Sequence, residues 1–532
     1  MLLIIAVSCI TLIAFFNFLA ELRRDLMMMQ QNSYRNERYT RWLKTSGDTT
    51  SWQRLTALCV LLISMSPFAS SIVSFGIIAA FALGSLIYLT TRKYKKPLVW
   101  TPRAKRIYSV GIVISALLTL AITLCSQSSG IYSVLYVICL TFLGLYCGSH
   151  IIIMSSVWLL APVERRINDG YRNDAARILS SMPGLTVIGI TGSYGKTSTK
   201  HYLNRILSEQ FEVLMTPGSY NTTLGVIRTI RELMKPYTEI FICEMGAKNI
   251  GDIKDICDLV HPSIGIVTAV GPQHLESFKT IENVCRTKFE LIDSLPDDGF
   301  AVINNDFDPI AEKKVELKGL CRYSVRNENA DFRASRIVYS STGTSFTITG
   351  KDTTLDLHTR LVGECNVSNL IAAVIVAMHL GMPCEKIRRA VEAIEPVEHR
   401  LSIKRTAGGI TILDDAFNSN PAGSSMALDV LRAMTGGKRI IITPGMIELG
   451  EKQHELNREF GEKISVSADI AIVVGQYNRE AILAGIAAGE GSPEVYEATT
   501  FADAQRLLQT FVANGDTILY ENDLPDTFKS VS

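Results

Sequence analysis

The stretch LTVIGITGSYGKTSTK at residues 185–200 decides how the larger part of this 532-residue chain folds. It opens with a short apolar run rich in β-branched side chains, which is typical of a buried strand. A glycine-containing turn and a Lys-Thr pair follow, and the pattern then becomes helical. A strand, such a turn and a helix that begins at Lys-Thr form the arrangement that binds a phosphate group at a helix N-terminus. The sequence therefore predicts a nucleotide-binding α/β domain.

The residues of this turn are predicted to bind ATP. Gly192 and Gly195 allow backbone N–H groups to approach phosphate oxygens, and Lys196 neutralises the β- and γ-phosphates. The Thr197 hydroxyl is predicted to bind Mg²⁺. The candidate ATP-binding residues here are Gly192, Ser193, Tyr194, Gly195, Lys196, Thr197 and Ser198. The strict pattern G-x-x-x-x-G-K-[ST] fails because Ile190 occupies the first glycine position, so the loop alone leaves a chance match open.

The first third of the chain carries most of its apolar character. Hydrophobic residues make up 47% of the chain, and their excess lies before residue 160. The apolar stretches predict about five membrane spans: residues 1–20, two short spans within 55–89, then 107–126 and 131–155. No Asp, Glu, Lys or Arg lies inside these predicted spans, so an anchor or lipid-docking region is expected rather than an ion path.

Basic residues predict the orientation of the spans. Segments 21–54 and 92–106 are rich in Lys and Arg, whereas the alternate loops near Pro67 and at 127–130 carry no charge. Basic loops stay in the cytoplasm, so the N-terminus is expected outside and everything after Glu164 inside. The predicted location is the cell (inner) membrane, as a multi-pass protein with cytoplasmic catalytic domains.

Charge and cysteine content exclude several other classes. The chain has 53 Lys and Arg against 52 Asp and Glu, so a net charge of +1 gives no field that attracts nucleic acid, and no nucleic-acid partner is expected. The 11 cysteines form no C-x-x-C pair. This pattern disfavours a zinc ribbon and suits a reducing cytosol.

Seven further segments follow residue 164 in a characteristic order. They are TPGSYNTTLG (216–225), EMGAKNIGDI (244–253), IGIVTAVGPQHLESF (264–278), RTKFELI (286–292), GECNVSNLIAA (363–373), HRL (399–401) and DDAFNSNP (414–421). With these segments the chain resembles the Mur ligase family, and most of all its branch that adds D-alanyl-D-alanine to a UDP-muramoyl tripeptide. The resemblance implies a membrane α-helical region at residues 1–160. It also implies a central P-loop-type ATPase domain with a mostly parallel sheet at 161–397, and a C-terminal Rossmann-like ligase domain at 398–532.

The resemblance implies a site with two Mg²⁺ ions. Glu244 follows a predicted strand and matches a family carboxylate that holds Mg²⁺, and His274 matches a ligand of the second ion. Lys288 matches a lysine that several family members carbamylate, which makes it a further metal ligand. The implied metal ligands are thus Thr197, Glu244, His274 and, if carbamylated, Lys288. The simpler alternatives are a solvated strand-end glutamate, a structural histidine and a solvated helix lysine.

The resemblance also implies nucleotide contacts beyond the loop. Asn366, Asn369 and Asp415 match positions beside the nucleotide, and Arg400 matches an arginine that reaches the ATP phosphates. The family's usual histidine before the first asparagine is Cys365 here. Capping of the helix N-terminus is the alternative for either asparagine. The implied catalytic set is Lys196, Glu244, His274, Lys288 and Arg400.

The implied reaction is ATP-dependent amide formation. A substrate carboxylate attacks the γ-phosphate to give an acyl phosphate and ADP, and an amine such as D-alanyl-D-alanine then displaces phosphate. Asn221 and Thr222 are expected to seat the acceptor, and Asn418 and Asn420 to face the amine. The partners expected are a small-molecule or lipid-linked peptide substrate and membrane lipid. The alternatives are a polyglutamate- or capsule-type peptide ligase, and a non-catalytic ATP-binding membrane scaffold.

Three departures from the family pattern bear on the substrate. Predicted spans stand where other members have a domain for the UDP group. Ser219 and Thr222 replace two asparagines of the D-alanyl-D-alanine-adding branch, and LYENDLPDTF (519–528) replaces its Lys-Gly-Ser segment. We therefore expect an acceptor that the membrane presents, such as a polyprenyl-linked muramoyl peptide. A plain anchor on an enzyme with soluble substrates is the alternative.

Overall fold

The computed structural model describes most of the chain in two compact units, which divide after residue 168. The described residues are 2–66, 71–94, 96–126, 130–272, 275–340, 343–350, 353–397, 401–416 and 419–522. Each unit has its own hydrophobic core.

The first unit is built from helices. In chain order the helices are α1 (Leu2–Gln31), α2 (Asn36–Ser46), α3 (Trp52–Met65), α4 (Ser71–Thr91), α5 (Pro102–Cys125), α6 (Ile131–Cys147) and α7 (Ser149–Ser180). Helix α1 packs against α4 and α6, and α3 packs against the same two helices. Apolar side chains such as Val7, Phe75 and Tyr146 are buried between them.

Three of these helices are long and apolar enough to cross a membrane. They are Ile4–Gln31, Ile72–Thr91 and Pro102–Cys125, and α6 with α7 forms a fourth candidate that is bent by 74°. Helix α3 is apolar but has 14 residues. It is therefore about 21 Å long, against about 30 Å for the hydrocarbon core of a bilayer. The described helices thus give three or four candidate spans rather than the five predicted, because α3 is too short; Pro67 lies outside the described residues.

Helix α1 extends past the predicted end of its span and carries charge into the bundle. Its side chains Glu21 and Asp25 are 2% and 0% exposed. Arg54 lies 2.8 Å from Asp25 and 3.0 Å from Glu21, and Arg24 pairs with Glu21 and with Asp48. Buried charges require opposite charges nearby. The predicted span 1–20 contains no Asp, Glu, Lys or Arg, but the candidate span is longer, Ile4–Gln31, and its added part carries Glu21 and Asp25.

The second unit begins with a nine-stranded sheet. Its strands are β1 (Thr186–Thr191), β2 (Val213–Met215), β3 (Ile240–Glu244), β4 (Ile264–Val267), β5 (Phe300–Asn304), β6 (Gly319–Ser324), β7 (Phe332–Ser340), β8 (Gly343–Thr349) and β9 (Thr354–Thr359). Their spatial order is β2-β3-β1-β4-β5-β6-β7-β8-β9. Neighbours are parallel from β2 to β7, and the last two pairings are antiparallel. The parallel strands are apolar and buried because helices cover both faces.

The helices of this sheet are α8 (Lys196–Leu207), α9 (Thr223–Leu233), α10 (Asp252–Val260), α11 (Leu275–Phe278), α12 (Ile281–Phe289), α13 (Asp308–Ala311), α14 (Glu364–His379) and α15 (Cys384–Glu392). Helices α8 and α14 pack on one face, where Leu203 and Leu370 meet Ile188. Helices α9, α10 and α12 cover the other face, around Phe241.

The second sheet of this unit has six strands in the order β10-β11-β15-β12-β13-β14. They are β10 (Ser402–Arg405), β11 (Thr411–Asp415), β12 (Arg439–Thr443), β13 (Ile470–Val474), β14 (Glu494–Ala498) and β15 (Thr517–Glu521). The accompanying helices are α16 (Pro421–Ala433), α17 (Gln453–Ser467), α18 (Arg479–Ala488) and α19 (Phe501–Leu508). All pairings except β10–β11 are parallel. The prediction of α/β structure with mostly parallel sheets is confirmed.

Candidate active site

The turn between β1 and α8 requires glycine at two positions. Gly192 has φ +149° and Gly195 has φ +78°, conformations that residues with a side chain rarely adopt. A Cβ atom on Gly192 would lie 2.9 Å from the Ala269 backbone nitrogen, and one on Gly195 would collide with Asn369. Both glycines therefore keep this backbone turn open and close to its neighbours.

Lys196 and Thr197 begin helix α8, as the sequence predicted. The Lys196 ammonium folds back over the turn and donates to the carbonyl oxygens of Gly192 at 2.6 Å and Ser193 at 3.2 Å. The Thr197 hydroxyl donates to Oε1 of Glu244 at 3.2 Å. The positive charge of Lys196 thus lies at the N-terminus of α8, and both favour the binding of an anionic phosphate group.

The other predicted residues of the turn have structural contacts. The Ser193 backbone N–H donates to the Ala269 carbonyl at 2.7 Å, so the turn is tied to the segment after β4. Tyr194 contributes its carbonyl to a hydrogen bond from Thr268. Ser198 is buried in the first turn of α8.

Glu244 lies at the end of β3, opposite Ile190 of β1, and is 1% exposed. Its Oε1 also accepts a hydrogen bond from Asn221 Nδ2 at 3.1 Å, and its Oε2 lies 3.0 Å from Lys200 Nζ. Burial alone would raise the pKa of Glu244, but the charges of Lys200 and Lys196 hold it below its usual value. Glu244 is therefore a buried, ionised carboxylate.

These residues fit a bound Mg²⁺ ion. Oε2 of Glu244 is buried and accepts no hydrogen bond from a described residue, although Lys200 lies within ion-pair distance. The Thr197 hydroxyl is beside the same carboxylate. Carboxylate and hydroxyl oxygens are the ligands that Mg²⁺ prefers. The chemistry of this donor set matches the predicted ion.

Lys288 lies on α12 and is 2% exposed, so the alternative of a solvated helix lysine is wrong. Its Nζ is 6.0 Å from the centre of the Phe278 ring, and no carboxylate of a described residue forms an ion pair with it. Burial, with a smaller contribution from the charge of Lys196, lowers the pKa of Lys288 to about 7. The lowered pKa favours the neutral amine, the form that reacts with CO₂.

Asn366 and Asn369 do not cap α14. The helix begins after Gly363, without a side-chain cap. Asn366 accepts a hydrogen bond from the Tyr202 hydroxyl at 2.7 Å, and Asn369 accepts one from the Thr199 hydroxyl at 3.2 Å. Both asparagines therefore bind the helix that carries the phosphate loop, and the capping alternative is wrong.

Of the residues predicted to bind substrate, Asn221 lies in the site, whereas Thr222 and Asn420 cap helices. Asn221 contacts Glu244 directly. Thr222 caps α9 by accepting from the Gly225 N–H at 3.4 Å, and Asn420 caps α16 by accepting from the Gly423 N–H at 2.8 Å. The side-chain oxygens of Thr222 and Asn420 thus have structural tasks, and their contacts with substrate stay predictions.

The second sheet presents its carboxyl end to the first. Lys248, after β3, forms an ion pair of 3.2 Å with Glu448, after β12. Asp415, at the end of β11, accepts a hydrogen bond from the Leu401 N–H at 3.1 Å. Ligands bind at the carboxyl ends of parallel strands, so the two sheets enclose the candidate site. The predicted residues His274, Arg400 and Asn418 lie outside the described residues.

Two family models match this part of the chain. The Mur ligase middle domain matches residues 190–377, and the Mur ligase glutamate ligase domain matches residues 399–520. The UDP-N-acetylmuramoyl-tripeptide–D-alanyl-D-alanine ligase of Mycobacterium tuberculosis H37Rv is 32% identical over 350 residues, which cover 63% of this chain and 67% of that protein. The chain belongs to the Mur ligase family. The ligase of the same name from Bacillus subtilis is 28% identical to this Mur ligase over 346 residues, which cover 64% of the chain and 73% of that protein.

Solved structures agree with this family. MurF from Acinetobacter baumannii matches 66% of this Mur ligase and 77% of its own chain, with a TM-score of 0.60 and 26% identity. MurF from Thermotoga maritima in complex with ADP matches 67% and 80%, with a TM-score of 0.59 and 27% identity. The predictions of a Mur ligase, of ATP as a substrate and of an ADP-forming ligase of cell-wall synthesis are confirmed. Neither family model covers residues 1–189.

One residue of this Mur ligase site escaped the sequence analysis. Lys200 is 0% exposed, pairs with Glu244 and donates to the Gly218 carbonyl at 2.6 Å. The sequence could have indicated Lys200, because Lys196 and Lys200 are four residues apart and therefore lie on the same face of α8. The site thus holds two lysines, a buried Lys200 that pairs with Glu244 and a half-buried Lys196 over the turn.

Proposed function

We propose that this Mur ligase joins an amine to the carboxylate of a muramoyl peptide, with ATP as the activating substrate. The observation that carries the proposal is the cluster of half-buried Lys196 and Thr197 with buried Lys200 and Glu244 at the carboxyl ends of β1 and β3. It combines phosphate-binding charge with a metal-binding carboxylate in one place.

The reaction proceeds in two steps. The acceptor carboxylate attacks the γ-phosphate of ATP to form an acyl phosphate and release ADP. The amine, in its unprotonated form, then attacks the acyl carbon; the new C–N bond forms, the C–O bond to phosphate breaks, and phosphate and one proton leave. Lys196 offsets the charge of the phosphates, Arg400 reaches them from the C-terminal domain, and Asn366 and Asn369 keep α8 in place.

Two Mg²⁺ ions fit this scheme. Thr197 and Glu244 would hold one ion, and His274 with carbamylated Lys288 would hold the second. Bound Mg²⁺ supplies positive charge that neutralises phosphate oxygens. The low pKa of Lys288 supports the carbamate, because a neutral amine is required for its formation.

We propose that the acceptor is presented by the membrane. The candidate spans of the first unit support this proposal, as does the lack of a match to either family model before residue 190. In this scheme residues 1–160 anchor the protein in the inner membrane, 161–397 bind ATP in the cytoplasm and 398–532 bind the amine. A polyglutamate- or capsule-type acceptor is the alternative, and the relatives named above favour the muramoyl peptide.

The test measures ADP release by the full-length protein in lipid nanodiscs. The acceptors are UDP-linked muramoyl tripeptide, its polyprenyl-linked counterpart and polyglutamate, with D-alanyl-D-alanine as the amine. ADP release with a muramoyl acceptor is expected, with a higher kcat/KM for the lipid-linked form. Lys196→Ala should abolish turnover, while Lys318→Ala, at an exposed lysine, should not change it.

Two results would contradict the proposal. Turnover with polyglutamate alone would reject the muramoyl acceptor. Equal or better kcat/KM on the UDP-linked form would reject presentation by the membrane and leave the ligase reaction intact.

A further inference from the structure

The first half of α7, residues 149–163, has two contrasting faces. On one face Ile152 and Ile153 are buried in a hydrophobic cluster that also contains Leu22 of α1. The opposite face carries an exposed apolar stripe, in which the exposed fraction is 60% for the first residue and 73% for the tryptophan. The apolar stripe consists of Ile151, Trp158, Leu159 and Val163, whose spacing places them on one side of the helix. Such an exposed apolar face indicates an interaction surface.

The bend between α6 and α7 lies at the charged end of α1. Helices α6 and α1 run side by side, since the Phe142 and Phe15 rings have centres 5.2 Å apart. The two helices after the bend and before it meet at 74°, and the Ser149 hydroxyl there donates to Asp25 of α1 at 2.5 Å. The uncharged run of α1 ends at Ala20. Because charged side chains are costly inside the hydrocarbon, the bend lies at the level of a membrane surface.

The far end of this segment is at the same level. Glu164 accepts two hydrogen bonds from Arg106, near the start of α5, at 2.7 and 3.0 Å. The start of α5 lies beside the end of α1, because Gln30 Nε2 donates to the Val99 carbonyl at 2.8 Å. A helix that continued through the bilayer would separate the levels of Ser149 and Glu164 by about 22 Å. Both residues instead contact the charged ends of α1 and α5, so this segment runs across the spans.

We propose that residues 149–163 lie in the plane of the membrane, at the surface that carries the basic segments, with the apolar stripe against phospholipid. Helix α6 then crosses the membrane alone, and its 17 residues make it about 25 Å long. The stripe is seated at the boundary between headgroups and acyl chains, as in other interfacial helices.

Two features of the segment suit this partner. Trp158 has an apolar ring with a polar N–H group, a combination that favours the membrane–water boundary. Arg165 and Arg166 follow the stripe and are exposed, and their charges suit anionic headgroups. The inference goes beyond the proposed ligase function and does not depend on it.

Quenching of tryptophan fluorescence by brominated lipid tests this placement in the full-length protein. The vesicles contain phosphatidylethanolamine, phosphatidylglycerol and a phosphatidylcholine brominated either near the headgroup or near the ends of its acyl chains. The chain has four tryptophans, Trp42, Trp52, Trp100 and Trp158, and replacement of the first three by phenylalanine leaves Trp158 as the reporter. Bromine near the headgroup should quench Trp158 more strongly. Leu117→Trp with Trp158→Phe is the control, because Leu117 is exposed in the apolar part of α5 and should be quenched more by the deep bromine.

Two further single-tryptophan variants measure the tilt of the segment. Ile151→Trp and Val163→Trp, each with Trp158→Phe, should give the same shallow pattern as Trp158. A helix that crosses the bilayer would instead separate the depths of positions 151 and 163 by about 18 Å. Different depths at these two positions, stronger quenching of Trp158 by the deep bromine, or no quenching of Trp158 by either lipid would overturn the inference.

One background replacement affects a buried side chain. Trp42 packs on Tyr39 with ring centres 5.6 Å apart, so Trp42→Phe could disturb the fold of the first unit. A second background therefore keeps Trp42, and its emission is measured in the Trp158→Phe variant and subtracted. The shallow pattern of Trp158 should be the same in both backgrounds.

Discussion

Nζ of Lys200 lies 3.0 Å from Oε2 of Glu244, and both side chains are enclosed between β3 and α8. Here Lys200 keeps Glu244 ionised, and Thr197 and Asn221 orient the carboxylate through its other oxygen.

Lys200→Met should therefore reduce both stability and activity. Removal of one partner leaves a buried charge without compensation, which costs about 3–5 kcal/mol. Thermal unfolding in nanodiscs measures the loss, and ADP release should fall with it. Arg205→Met in the partly exposed pair Arg205–Glu209 is the control, with an expected cost of about 0.2–1 kcal/mol.

The double variant Lys200→Met/Glu244→Leu distinguishes the two roles of this pair. Replacement of both charges should recover most of the stability, because no charge is left unpaired. Activity should stay absent, because the carboxylate itself is needed. Recovery of ADP release would contradict the assignment of Glu244.

Gly195→Ala should prevent nucleotide binding. The positive φ and the collision of a Cβ atom with Asn369 force the turn to change shape. Binding of a fluorescent ATP analogue to the full chain measures the loss. Gly170→Ala is the matched control, because Gly170 lies in helix α7 with open space around it. This control should bind normally and gain about 0.5–1 kcal/mol of stability.

Accessibility to a membrane-impermeant thiol reagent tests the predicted topology. In intact cells a cysteine at Tyr132, at the start of α6, should react, and one at Lys93, after α4, should be protected. A background variant with Cys9, Cys59 and Cys125 replaced is needed, since these thiols are exposed. Labelling at Lys93 in intact cells would place the basic segment 92–106 outside and reject the orientation.

The buried carboxyl of Glu521 should make stability depend on pH. Its pKa is about 8 in the folded chain, because of burial and Asp415, against an ordinary value of 4.5. Between these values the folded chain holds a proton that the unfolded chain has released. Its stabilising contribution is complete below pH 4.5 and is lost as pH rises through 8. The melting temperature of wild type should fall from pH 5.5 to 8.5 by more than that of Glu521→Gln, whereas Asp429→Asn, at an exposed carboxylate on α16, should follow wild type.

The sequence predicted those parts of the site that depend on local pattern. A strand followed by a glycine turn and Lys-Thr is a local signal, and the structure has Gly192, Gly195, Lys196 and Thr197 at the predicted turn between β1 and α8, while their binding of ATP stays a prediction. The position of Glu244 at the end of a strand could also be predicted from the adjacent apolar residues alone. These residues lie together because parallel strands end on one edge of a sheet.

Contacts between distant segments were not predictable in this way. Capping by Thr222 and Asn420 depends on where each helix begins, and both residues had been expected to contact substrate. The burial of Lys288 depends on the segments that cover α12. Glu521 gave no signal because a carboxylate after an apolar strand is ordinary until Asp415 is known to be its neighbour.

The charge network of the first unit has a consequence for how this protein is made. Arg54 at the start of α3 contacts Glu21 and Asp25 of α1 and donates to the Cys147 carbonyl at the end of α6. Arg54 is made after α1, so its ion pairs with Glu21 and Asp25 form only once α3 is present, and α3 is too short to cross a bilayer. The charge network is therefore complete only when α1, α3 and α6 have all come together, and no one of these helices can satisfy it alone.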